Sequence, residues 1–161
     1  MKTFLKNTAL AAVLALPFAA NAAETTVSDI TVGADLTAIE NVTAAGVWKN
    51  LPVDLEKELA LQLANQIGED GAEIMIDIDM LELASAFEEA ADLANSTLSG
   101  DVVIERPGNE YDEAYTLTVS ANQAAVLLPE GSDIMLLTPG SAEFYNAMIE
   151  AFAGNVAEKL Q

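Results

Sequence analysis

The chain has 161 residues, no cysteine and no histidine, and 26 acidic residues against six basic ones, for a formal net charge of −20. That composition excludes disulfides, thiolate metal sites, haem or iron–sulfur ligation by Cys or His, and every nucleophilic mechanism that relies on an imidazole base. The charge repels phosphate backbones and anionic headgroups, so neither nucleic acid nor a lipid surface is an expected partner.

In chain order, the first feature is an export signal. Lys2 and Lys6 form a cationic start, Thr8 to Phe18 a mostly apolar run, and Ala20-Asn21-Ala22 the small residues a signal peptidase needs. The run is shorter than the roughly 20 residues of a bilayer-crossing helix, so no membrane span is expected. The expectation is a cleaved signal over residues 1–22 and a single domain over 23–161, in a bacterial periplasm or secreted. Four cations (Lys49, Lys57, Arg106, Lys159) then face 26 carboxylates, a net charge of −22. Hydrophobic residues are 52% of the chain, too many for a disordered acidic polymer.

Val27 to Val32 alternates apolar and polar positions, the period of a half-buried strand. From Gly33 to Trp48 no period stands out. Asn50 to Pro52 opens a helix, with Asp54 and Glu56 near its positive end and Leu55, Leu59, Leu63 and Ile67 at four-residue spacing. Gly68 is placed to end it in a left-handed conformation. Glu73 to Leu81 is a second strand: Ile74, Ile76, Ile78 and Met80 share one face, and Glu73, Asp77 and Asp79 the other. Ala84 to Asn95 has the composition of a short helix, with a loop as the alternative.

Asp101 to Glu105 and Tyr111 to Val119 flank Pro107-Gly108-Asn109, the turn chemistry of a hairpin. Ala124 to Leu128 and Ile134 to Leu137 are short apolar pieces, read as strands or as partly buried loop. Ser141 to Leu160 is a helix whose apolar stripe is Phe144, Met148, Ala151, Phe152, Val156 and Leu160. The order predicts an α+β two-layer sandwich: a mainly antiparallel sheet with two long helices packed on one face, and a polar second face.

Asp77 and Asp79 are the candidate site residues. Two apart on a strand, they sit about 7 Å apart on one face. With Glu73 or Glu82 they form an oxygen set for Ca²⁺, or an acid/base pair for a glycosidic bond; a solvated acidic edge gives the same pattern. Arg106, the only arginine, is read either as a grip for a carboxylate or as plain surface. Trp48, the only tryptophan, is read as core or as a stacking platform. No glycine-rich phosphate loop is present, because Gly131-Ser132 and Pro139-Gly140-Ser141 lack the spacing. No cofactor is expected.

The run Glu143-Phe144-Tyr145-Asn146-Ala147-Met148-Ile149-Glu150-Ala151-Phe152-Ala153, with the strand–helix–strand–hairpin–helix order before it, resembles small proteobacterial cell-envelope domains. These include periplasmic lipoproteins and domains similar to the amino-terminal part of TolB. The resemblance implies a non-enzymatic envelope adaptor that binds another envelope protein. It does not carry over a lipid anchor, because the required cysteine is missing. The alternative function is a small-ligand or calcium-binding module on the acidic sheet face.

The acids are read either as a partner surface for a basic protein or cation-rich ligand, or as a hydrated, mutually repelling surface that salt relaxes; their spread along the whole chain favours the second. The melting temperature is expected to rise from low salt to sea-water strength; a flat or falling trend would contradict this reading.

Overall fold

A computed structural model describes residues 25–36, 42–82, 93, 95–108 and 112–160, and in its strands the apolar–polar alternation is obeyed until a bulge interrupts it. The elements are β1 (Val27–Ala34), α1 (Val42–Trp48), α2 (Leu51–Gln62), β2 (Ala72–Glu82), β3 (Thr97–Glu105), β4 (Glu113–Ser120), α3 (Ala121–Ala124) and α4 (Ala142–Glu158). The four strands form one sheet in sequence order.

On one face of that sheet Val32, Ile74, Ile76, Ile78, Leu98, Val102, Ile104 and Val119 are buried. They join Leu51, Leu55 and Leu59 of α2 and Phe144, Met148 and Phe152 of α4 in one core. Among the described residues the other face is mostly exposed, with Ser99 buried. Asp77, Asp101, Thr116 and Thr118 are exposed there.

Two details of the expected architecture are corrected. The sheet is mixed: β2–β3 and β3–β4 are antiparallel, but β1 runs parallel to β2. A parallel neighbour cannot be reached through a tight turn, and α1 and α2 provide the crossover. Nor are there two long helices. α4 has 17 residues, whereas α2 ends after 12, at Gln62, with Leu63 as its cap. Gly68 does not close α2 in a left-handed conformation; its N–H donates to Val27 O at 2.9 Å instead. Leu63, the third leucine of the stripe, stays buried just beyond the helix end.

The segment after α2 is fastened to the start of β1. Val27 N donates to Gln66 O at 2.7 Å, and Ala72 N donates to Thr26 O at 2.7 Å. The backbones come so close that a Cβ on Gly71 would lie 2.5 Å from Val27 N, which only glycine avoids. On its outer edge β1 is capped from the helix: Val32 N donates to Glu56 Oε1 at 3.0 Å. A charged side chain on an edge N–H discourages pairing with another strand.

The two arms pair antiparallel, with Thr97 opposite Ser120, Ile104 opposite Glu113, and Gly108 at φ +92°, while Asn109 and Tyr111 lie outside the described residues. The apolar pieces that follow are not strands. Residues 121–127 make α3 and a 3₁₀ turn, and 134–136 a second 3₁₀ turn. Ser120 forms a capping box with Gln123, which favours a helix start there. The export signal lies outside the described residues. So does most of the helix expected over residues 84–95, of which Leu93 is buried and Asn95 exposed.

Gly71→Ala is expected to destabilise the protein by about 1–3 kcal/mol through forced backbone movement. Gly46→Ala, in α1 with nothing within 4 Å of the added Cβ, is expected to stabilise it by about 0.5–1 kcal/mol. Urea unfolding of both variants checks the pair, and loss of the contrast would contradict the close approach at Gly71.

Candidate functional site

The sequence-derived pair is separated by an irregularity in β2. Asp77 is in register with Asp101, and the next pairs are Met80 with Ser99 and Leu81 with Leu98. Ile78 and Asp79 fall in the intervening bulge, facing Gly100. A Cβ on Gly100 would lie 2.8 Å from both Asp77 O and Ile78 Cδ1, so glycine makes the bulge possible. The inward parity of β2 shifts as a result, from Ile74, Ile76 and Ile78 to Leu81, which packs on the core.

Glu73, one of the expected companions, is opposite Glu105, four residues or about 13 Å of strand from Asp77. Glu82, the other, closes β2 opposite Thr97. Among the described residues no three Asp, Glu, His or Cys side chains converge as they do around a metal ion. What the register does bring together is Asp77 with Asp101, and Thr116 Oγ1 donates to Asp101 Oδ1 at 2.7 Å. Like charges directly opposite on a sheet oppose folding.

Arg106 is engaged within the chain. Its Nη1 lies 3.6 Å from Glu113 Oε1, and its backbone N–H donates to Asp112 Oδ1 at 3.0 Å. Trp48 is fully buried; its Nε1 donates to Pro139 O at 2.8 Å. Its ring meets Tyr145 edge-on, with centroids 5.0 Å apart, and Phe144 at 6.3 Å. The tryptophan is core, and its single polar atom is satisfied by the turn before α4.

A surface that sequence reasoning did not single out lies along the seam of α2 and α4. Gly154 of α4 faces α2 there: a Cβ on it would lie 3.7 Å from Gln62 Oε1. Asp54, Glu58 and Gln62, spaced by four residues, then line the α2 side. Tyr145 Oη donates to Asp54 Oδ2 at 2.7 Å across the seam, and Gln62 Nε2 donates to Glu58 Oε1 at 2.9 Å. Two adjoining grooves of about 380 and 470 Å³ share Glu58 and Glu150 and together form one trough.

Its first half is lined by Asp54, Lys57, Leu61 and Asn146, its second by Gln62, Val126, Leu127, Gly154, Asn155 and Glu158. Val126 is 83% exposed and Leu61 61%. Apolar side chains held in water beside a groove are a feature of contact surfaces. The signals in the sequence were the four-residue acid spacing of Asp54 and Glu58 and the Val126-Leu127 pair.

Burial pushes the Tyr145 phenol well above its ordinary value, aided by the hydrogen bond to Asp54 and by that carboxylate's charge. Tyr115 is raised too, first by burial and then by Glu113. The folded state therefore holds these protons more tightly than the unfolded state. Their contribution is complete below the unfolded phenol value of about 10 and is lost as pH rises above it.

No protein-family model and no curated protein matches the chain. Among solved structures, one described as "Crystal structure of uncharacterized protein" is similar at a TM-score of 0.45 and 11% identity, covering 86% of this chain and 93% of its own.

Two outcomes are expected. Asp77→Asn raises stability at low salt by about 0.2–1 kcal/mol, and the gain vanishes near 1 M salt; a loss, or a gain that survives salt, would contradict repulsion from Asp101. Stability falls above about pH 10, and Tyr145→Phe makes that fall shallower; an unchanged slope in alkaline unfolding curves would contradict the role of Tyr145.

Proposed function

We propose that the protein is an exported, non-enzymatic accessory domain that holds another envelope protein in the α2–α4 trough. The observation that carries this reading is Val126, 83% exposed at the rim of a groove floored by Leu127, Ala151 and Gly154. Leaving a valine in water gains nothing for folding, whereas covering it on binding is favourable by roughly 25 cal/mol per Å² of apolar area.

The residue types point the same way. The chain has neither histidine nor cysteine, and among the described residues no three carboxylates converge as they would around a metal ion. Export rests on the leader of residues 1–22, and the envelope partner on the resemblance to envelope adaptor domains. No cofactor enters this function.

Val126→Asp tests it. The side chain touches mostly water, so the fold is expected to survive. Cross-linking in intact cells, followed by isolation, should return one recurrent partner with the natural chain and lose it with the variant. Equal recovery from both, or no recurrent partner from either, would overturn the proposal.

A further inference from the structure

Resting on that docking reading, we infer that the segment received by the trough is basic and amphipathic: one apolar side chain flanked by lysines or arginines. Four carboxylates line the trough, Asp54, Glu58, Glu150 and Glu158, against one cation, Lys57. Among the described residues none of the four belongs to an ion pair; the recorded pair, Arg106 with Glu113, lies at the hairpin. Tyr145 and Gln62 give Asp54 and Glu58 neutral hydrogen-bond donors, which orient the carboxylates without cancelling their charge.

Leu61 in the first half of the trough and Val126 with Leu127 in the second are thus accompanied by four carboxylates and one lysine, a net negative lining. Such a lining favours cations on the incoming chain, and favours them most at low salt.

The geometry sets the size of the occupant. Asp54 to Gln62 spans eight residues of helix, about 12 Å at 1.5 Å each. That length matches two turns of a partner helix or four residues of extended chain. Asn146 lines the same trough and can bond to its backbone or side chains, whereas the amides of Gln62, Gln123 and Asn155 are already engaged within the chain. A second copy of this chain fits poorly, because it brings the same carboxylates against themselves at a net charge of −20 per chain. Anionic ligands are repelled by the same net negative lining.

The test uses the whole chain and a synthetic peptide of repeating Lys-Leu-Leu-Lys, titrated at low salt by fluorescence anisotropy. Glu58→Gln with Glu150→Gln removes two charges from the trough; Glu73→Gln with Glu105→Gln removes two from the open sheet face. Loss of about tenfold in affinity is expected for the trough pair, and less than twofold for the sheet pair. Equal losses would overturn the inference, since binding would then follow bulk charge. So would failure of the natural chain to bind the peptide, or concentration-dependent dimers of the chain that Val126→Asp dissolves.

The two readings fail separately. If Val126→Asp abolishes partner cross-linking while the peptide ignores the trough variants, docking stands and the basic occupant falls. If the variant leaves cross-linking intact, the docking reading falls as well.

Discussion

The fold turns on the burial of one helix. Of the 17 residues of α4, ten are buried, among them Phe144, Met148, Phe152 and Val156. At about 1.5–3 kcal/mol for each large apolar side chain withdrawn from water, this helix supplies the largest single share of the driving force. Its position then dictates much else. Phe144 and Tyr145 hold Trp48 edge-on, the preceding turn accepts the indole N–H through Pro139, and Tyr145 reaches across to Asp54. At Gly154 of α4 the side chain of Gln62 from α2 lies close, and the trough runs along that seam. Core packing and the proposed docking surface are thus two sides of the same helix.

A net charge of −20 constrains the rest. With so few cations, carboxylates cannot be balanced pairwise, and the chain manages them by exposure and neutral donors. Thr116 attends Asp101, Tyr145 attends Asp54 and Gln62 attends Glu58. Glu56 is used differently, capping the edge N–H of Val32 and so protecting the end of the sheet. Like-charged neighbours remain on the open face, Asp77 by Asp101 and Glu73 by Glu105. An account that assigns the acids to hydration and the helix seam to recognition therefore makes salt the natural variable for both.

Much of the architecture was legible because periodicity reports burial directly. Ile74, Ile76 and Ile78 announced β2, and Phe144, Met148, Phe152 and Val156 announced α4. The parallel partnership of β1 was not legible, since alternation says which face is buried and nothing about strand direction. The end of α2 was misplaced because Leu63 continues the leucine stripe, although its burial lies in the cap and the Gly68 N–H bonds to β1. The bulge at Ile78 and Asp79 was hidden for a similar reason: the glycine that permits it, Gly100, lies on another strand. Asp77 and Asp79 form a pair in sequence, and what the sequence did not show is that strand register sets Asp77 opposite Asp101. The trough joins α2, α4 and the turn at Val126, three segments whose proximity no local pattern encodes.

Native-state hydrogen exchange tests the central place of α4 most directly, because it reports which amides open only with global unfolding. The account predicts that amides from Tyr145 to Val156 exchange in the slowest class, together with Ile74 to Ile78 of β2 and Val102 to Ile104 of β3. Exchange of α4 well before the sheet, as a unit that opens by itself, would contradict it.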